Sequence, residues 1–175
     1  MNLISKCYTS PPIKELNDFH GHDEYFDFLN NLLKQVFLEN KIRFENKVVE
    51  ISQQLNEDGR LERFWHIISK TDYAKQTKTW PDFERCNAVF YIQPLIETCH
   101  KCKNRLVFSR KEKNKYKTYI WCSDKNIMIV LEKHHNKYIF ITCFIVKGKR
   151  NHAKYMQRYI ESKQKQKTAT KRNRS

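Results

Sequence analysis

Apolar residues recur most regularly in "DEYFDFLNNLLKQVF" (23–37), where Tyr25, Phe28, Leu29, Leu32 and Val36 are spaced three or four apart. That spacing places them on one face of an α-helix. Asp23, Glu24 and Asp27 suit its N-terminal end, where the backbone dipole favours anions. The next segment, "RFENKVVEIS", fits strand and helix equally, and "NEDG" (56–59) then breaks the chain. Beyond it, "GRLERFWHIISK" sets His66 between Trp65 and Ile67, where apolar patterning calls for a plain hydrophobe. A second start lies at Trp80-Pro81-Asp82. Asp82 can cap a helix over "DFERCNAVFYIQPLIETC", whose Phe83, Val89, Ile92 and Ile96 keep helical spacing. Pro94 should kink or end its first stretch. Arg85 falls near this helix's N-terminus, where the dipole disfavours a cation. A residue set against local preference hints at another role.

From residue 105 the period changes. "RLVFSR", "YKTYIWC", "IMIVLE" and "YIFITCFIVK" are apolar runs joined by short polar stretches, the pattern of an antiparallel meander. "IMIVL" is apolar throughout, as for a strand covered on both faces. Strict alternation in the last strand puts Ile139, Ile141, Cys143 and Ile145 on one face and Tyr138, Phe140, Thr142, Phe144 and Val146 on the other. A helix near "NHAKYMQRYIE" follows. It leads into "SKQKQKTATKRNRS", a basic tail with almost no hydrophobic content that is expected to be disordered alone. No internal repeat is visible.

Charge alters this picture more than size does. The 175 residues carry a formal net charge of +15. Up to residue 98 the balance is 12 Lys/Arg against 15 Asp/Glu, and from residue 99 it is 22 against 4. So uneven a split points to one surface built for a polyanion, with nucleic acid first and an anionic membrane surface second. Aromatic residues, among them Tyr119, Trp121 and Tyr155, are mixed through the basic half, which suits base stacking beside phosphate contacts. No apolar run is long enough to span a bilayer, and the first residues lack a secretory h-region. Six cysteines without regular spacing then read as reduced intracellular thiols, and the expected location is the cytoplasm.

The motifs exclude several chemistries. Cys99 and Cys102 form a lone C-x-x-C without the second pair that a zinc site needs. Phosphate-loop, dinucleotide, nucleophile-elbow and H-E-x-x-H motifs are missing, and no cofactor is implied. The strands hold only Glu112, Asp124 and Glu132 as acids, too few for a two-metal nuclease, so no metal site is expected. What remains is a metal-independent set: His66, Arg85, Glu132, Thr142 and several lysines. RNA supplies its own 2′-OH nucleophile. Cleavage then needs a base, an acid and a donor that steadies the phosphorane. His66 can be base or acid, Arg85 can fork onto a phosphate and Thr142 can donate a hydrogen bond. Each also has a plain structural reading: a satisfied core histidine, an arginine paired with Glu84 or Glu62, and a β-branched strand residue. Residue types and spacing alone lead to a basic α+β nucleic-acid binder.

Taken in order, "FWHIIS", "DFERCNAVFYIQPLIE" and "YIWCSDKNIMIVLEKHHNKYIFITCFIV", closed by a basic helix, resemble phage- and mobile-element-associated nucleases of the barnase–EndoU–colicin–RelE superfamily. The resemblance runs from about Leu61 to Tyr159. It implies an α+β fold with N-terminal helices packed on a roughly four-stranded antiparallel sheet, a C-terminal helix and a disordered basic tail. The chain would divide into an N-terminal helical region (1–59), a nuclease core (60–160) and a flexible tail (161–175). Carried over residue by residue, it makes His66, Arg85 and Thr142 the active-site residues of a metal-independent endoribonuclease. Lys70, Glu132 and Tyr155 are open as the second acid–base group. RNA, a tRNA or mRNA, would lie across Lys70, Lys117, Tyr119, Trp121, Lys133, Lys147, Lys149, Arg150 and Tyr155. Such an enzyme would act as a toxin or phage-encoded effector, held in check by an antitoxin or immunity protein with an acidic surface. The alternative is an RNA- or DNA-binding protein without catalysis that uses the same face and tail.

Overall fold

The computed structural model describes residues 12–72, 77–97 and 104–172. The first helix, α1 (His22–Lys34), buries Tyr25, Phe26, Leu29 and Leu33, while Phe28 and Leu32 lie at the edge of that face. A π-helical turn (Gln35–Glu39) continues it and buries Val36 and Phe37. The ambiguous segment is a β-hairpin of β1 (Arg43–Phe44) and β2 (Lys47–Glu50). Its two turn residues, Glu45 and Asn46, have φ of 49° and 63°. Positive φ at both central positions is what a tight hairpin turn requires. Next come α2 (Phe64–Ile68), β3 (Ser69–Asp72) and β4 (Thr77–Pro81), the last two forming a separate two-stranded sheet.

The helix expected from residue 83 is two helices, α3 (Phe83–Val89) and α4 (Ile92–Glu97). Pro94 lies in the first turn of α4, where its missing N–H costs nothing. In one continuous helix its ring would clash with the carbonyl of Phe90, and the break falls there. The meander follows as β5 (Arg105–Glu112), β6 (Lys115–Cys122), β7 (Ile127–Lys133) and β8 (Lys137–Ile145). The last helix, α5 (Lys149–Arg172), runs through most of the segment expected as a disordered tail.

The sheet has six strands rather than four, in the order β1-β2-β8-β7-β6-β5. It is mixed rather than antiparallel, because β2 pairs parallel with β8: Val48 opposite Lys137, Val49 opposite Tyr138, Glu50 opposite Ile139. Side chains fasten this junction. Tyr138 donates to Glu45 at 2.6 Å, Lys137 to Glu50 at 2.7 Å, and the Phe44 and Tyr138 rings meet edge-on at 5.2 Å. The described residues from α1 to β2 therefore belong to the same sheet and core as the segments that follow.

One face of the sheet is covered by α1 to α4, with Leu29, Leu33, Phe64, Ile67, Ile92 and Leu95 against Ile129, Leu131, Phe140 and Cys143. On the opposite face, Phe108, Tyr119, Trp121, Met128, Val130 and Val146 lie beneath Tyr155, Met156 and Tyr159 of α5. Covered on both sides, Ile127 to Leu131 of β7 are all buried. In β8 the strict alternation fails. Val130 pairs with Thr142 but Leu131 with Phe140, so Ile141 is an inserted bulge residue. Tyr138 and Phe140 therefore share the helical face with Cys143 and Ile145, while Phe144 and Val146 point to α5.

Candidate nucleic-acid interface

The "FWHII" segment is held by an ionic hub. Arg60 is buried at its guanidinium and pairs with Asp27 at 2.9 Å, Asp58 at 3.2 Å and Asp23 at 3.6 Å. The same guanidinium lies 5.4 Å from the Trp65 ring centre and 5.9 Å from that of Phe64. Trp65 Nε1 donates to Asp58 Oδ2 at 2.6 Å. Burial works to raise the Asp58 pKa, but Trp65 and Arg60 outweigh it and hold the carboxyl below its usual range. With Phe64, Ile67 and Ile68 fully buried, His66 is left half-buried on the remaining side of α2.

Helix α3 packs against α2. Its cap, Asp82, accepts from the backbone N–H of Glu84 at 2.9 Å and of Arg85 at 3.3 Å through Oδ1, and pairs with Lys70 through Oδ2. Burial acts to raise this carboxyl too, yet Lys70, the Arg85 N–H and the charge of Lys147 prevail and lower it. Arg85 Nη1 donates to the carbonyl of Ser69 at 2.8 Å, joining α3 to the end of α2. Glu84 pairs with Lys147, which follows β8. The structure thus gathers His66, Lys70, Arg85 and Lys147 around the packed helices α2 and α3.

Thr142 is not part of that group. The Sγ of its neighbour Cys143 lies 3.9 Å from the carbonyl of Ala88 in α3, so Thr142 points through the other face of the sheet. Its strand partner Val130 belongs to the cluster under α5. The bulge is the physical reason: without it, Thr142 would share a face with Tyr138 and Phe140. His66, Arg85 and Thr142 therefore form no common cleft.

On the α5 face a different group assembles. Glu132 and Lys117 are direct cross-strand partners. The Glu132 carboxylate, only 10% exposed, lies 3.0 Å from both Lys115 Nζ and His134 Nε2. Facing a carboxylate, that nitrogen carries the proton. Lys117 pairs with Glu112 at 3.3 Å, and Tyr119 donates to Glu112 at 2.6 Å. Burial presses the Glu132 pKa upward, but Lys115 and His134 hold it below the ordinary carboxylate range. Glu112 is lowered in the same way by Tyr119 and Lys117, against its burial. Tyr119 is raised by burial and by Glu112, so its hydroxyl stays a donor. Lys115 and His134 were not among the expected site residues. His134 stands two positions after Glu132, and the period of two in a strand marks such a pair as sharing a face.

The remaining expected residues divide by exposure. Trp121 is completely enclosed between the sheet and α5, its ring 4.7 Å from His152, so it packs rather than offering a stacking surface. Tyr155 is half-buried and touches Tyr119, Trp121 and Phe144 at 6.2 to 6.4 Å between ring centres. Lys133, Lys147, Lys149 and Arg150 are exposed. Along α5, nine Lys/Arg face a single acid, Glu161. Lys154 and Arg158 lie over the Tyr155 ring at 5.8 and 5.4 Å, and Lys163 over Tyr159 at 5.6 Å. The aromatic face of α5 is turned to the sheet while exposed Lys154 and Lys163 are offered to solvent.

Among the described residues, no group of three His, Cys, Asp or Glu side chains is placed to hold a metal ion, and no helix is long and apolar enough to cross a membrane. Cys99 and Cys102 lie outside the described residues. Burial pushes the thiols of Cys86 and Cys143 up to about 12, which keeps them unreactive. No family model, curated protein or solved structure matches the chain. The resemblance to the barnase–EndoU–colicin–RelE nucleases is carried by its motifs alone.

Proposed function

We propose that the protein binds RNA through the outward face of α5 and the neighbouring basic ends of β5 and β6. The observation that supports this most is α5 itself: nine cations against one acid on a helix anchored by its aromatic side. Fixed cations along a rigid element release condensed counterions from a polyphosphate, and that release drives binding. The direct test is RNA affinity across a salt series. The logarithm of affinity should fall linearly with that of salt, by about 0.7 per phosphate neutralised on a single strand. Reversing Lys154, Arg158 and Lys163 to glutamate should shallow the slope by about 2 on the same scale. Salt-independent binding would rule the reading out.

A second reading, metal-independent RNA cleavage, is favoured by the Glu132–His134–Lys115–Lys117 group. Glu132 as a carboxylate can take the 2′-OH proton, protonated His134 can supply one to the 5′-oxygen, and the two lysines can face the phosphate. On this reading the site moves from His66, Arg85 and Thr142 to the α5 face. A toxin or effector role and an acidic inhibitory partner would rest on it. Cleavage of RNA in EDTA with 2′,3′-cyclic phosphate ends, strongly slowed in Glu132→Gln, is the expected result. Intact RNA after prolonged incubation with the wild type, with or without metals, would leave binding as the function.

A further inference from the structure

Three aromatic rings crowd together at the surface. Trp80 is 68% exposed and Phe83 41% exposed, and with Tyr116 they are the most exposed large aromatic residues among those described. His22, also exposed, meets Trp80 edge-on at 5.7 Å and lies 6.4 Å from Phe83. They belong to three elements, β4, α3 and α1, so the cluster is formed by folding rather than by one run of sequence. By contrast Trp121 is fully buried, and Trp65 is half-buried and bonded to Asp58. Large rings exposed together mark a binding surface more often than chance exposure.

Charge indicates the occupant. Phe83 sits between Asp82 and Glu84, which hold Lys70 and Lys147, and Lys147 leads directly to exposed Lys149 and Arg150 at the first turn of α5. The Glu84–Lys147 ion pair therefore links the Phe83 side of the patch to the residues that lead into the cationic helix. Between α5 and Phe83 the exposed cations are Arg150, Lys149 and Lys147, while exposed Asp23 and Glu24 follow His22. We propose that this patch stacks unpaired bases, so that the RNA recognised is single-stranded. A duplex keeps its bases stacked inside and presents only backbone and groove edges, which rings of this kind do not grip. The proposal rests on the RNA-binding reading and names its substrate class.

The test compares Trp80→Ala and Phe83→Ala with the wild type, using labelled oligouridine of about 12 nucleotides, within the range of single-strand site sizes, and an RNA duplex of equal length. Melting temperatures control for folding, which these exposed positions should barely affect. Each variant should lose about 5- to 150-fold in single-strand affinity, the usual worth of one stacked base, with an unchanged salt slope. Duplex affinity should stay within about twofold, since the phosphate contacts are untouched. The α5 charge reversal should weaken both probes. Unchanged single-strand affinity in both variants overturns the stacking proposal and leaves RNA binding by α5 standing, with the patch then serving a protein partner. Equal losses on duplex and single strand also overturn it. A wild type that binds neither probe removes the RNA-binding reading as well.

Discussion

Cys143 Sγ lies 3.9 Å from the carbonyl oxygen of Ala88, so it is the neighbour of Thr142, not Thr142 itself, that reaches α3 from β8. Arg85 and Thr142 are then separated by the sheet. Arg85→Ala should cost about 1–3 kcal/mol, because it leaves the Ser69 carbonyl without its donor. Thr142→Val should cost under about 1 kcal/mol, since its 3.5 Å contact to its neighbour's carbonyl is weak. In urea unfolding the double variant should equal the two single effects within about 0.5 kcal/mol, as for independent sites. A larger coupling would mean that the two side chains act together.

Acid should unfold the protein through its capped and paired carboxylates. Asp58, Asp82, Glu112 and Glu132 are all held below their ordinary values in the folded state. A depressed folded pKa contributes stability that is fully present above the unfolded value, near pH 4, and disappears as pH falls through the folded value. Thermal melting should therefore hold steady from pH 7 to about 5 and decline steeply below about 4. Asp82→Asn keeps a capping side chain but not the charge. It should lower the neutral-pH melting temperature and flatten the acid limb, whereas an unchanged limb would remove Asp82 from the set.

The hub at Arg60 should be worth more than an exposed ion pair, because its guanidinium is buried. Trp65→Phe keeps the ring packing but loses the donor to Asp58, and about 1.5–3 kcal/mol should go with that hydrogen bond to a charged group. Chemical denaturation reads this directly. A cost near zero would show that Arg60 alone satisfies Asp58.

Cleavage, if present, should separate the two faces of the sheet. Glu132→Gln and His134→Ala should slow it by about 10²- to 10⁴-fold, the usual contribution of one general acid or base. RNA affinity should not fall in Glu132→Gln, because a negative charge is removed. His66→Ala, on the opposite side, should slow cleavage far less than either variant, since His66 belongs to α2 and not to the Glu132 group. The reverse ranking would return the site to α2.

The meander from Arg105 to Ile145 was legible in the sequence because its strands are consecutive and joined by short polar turns. The pairing of β2 with β8 was not, because a parallel partner far along the chain leaves no mark on local periodicity. The bulge at Ile141 was hidden for another reason: both faces of β8 are apolar, so a slipped alternation still looks like an alternation. Glu132 and Lys117 came from the sequence as separate candidates, and only the β6–β7 register made them neighbours. Trp121 read as a stacking residue because the amphipathic side of α5 that covers it, Tyr155, Met156 and Tyr159, was diluted by surrounding lysines.

The position of β8 also sets a timetable for synthesis. It lies between β2 and β7 in the sheet, yet among the strands it is the last to be made. The hairpin of β1 and β2 must wait, with one edge open, until Lys137–Ile145 has left the ribosome. At about 5–20 residues per second, that exposure lasts several seconds, long enough for a chaperone to engage it or for another nascent chain to borrow the edge.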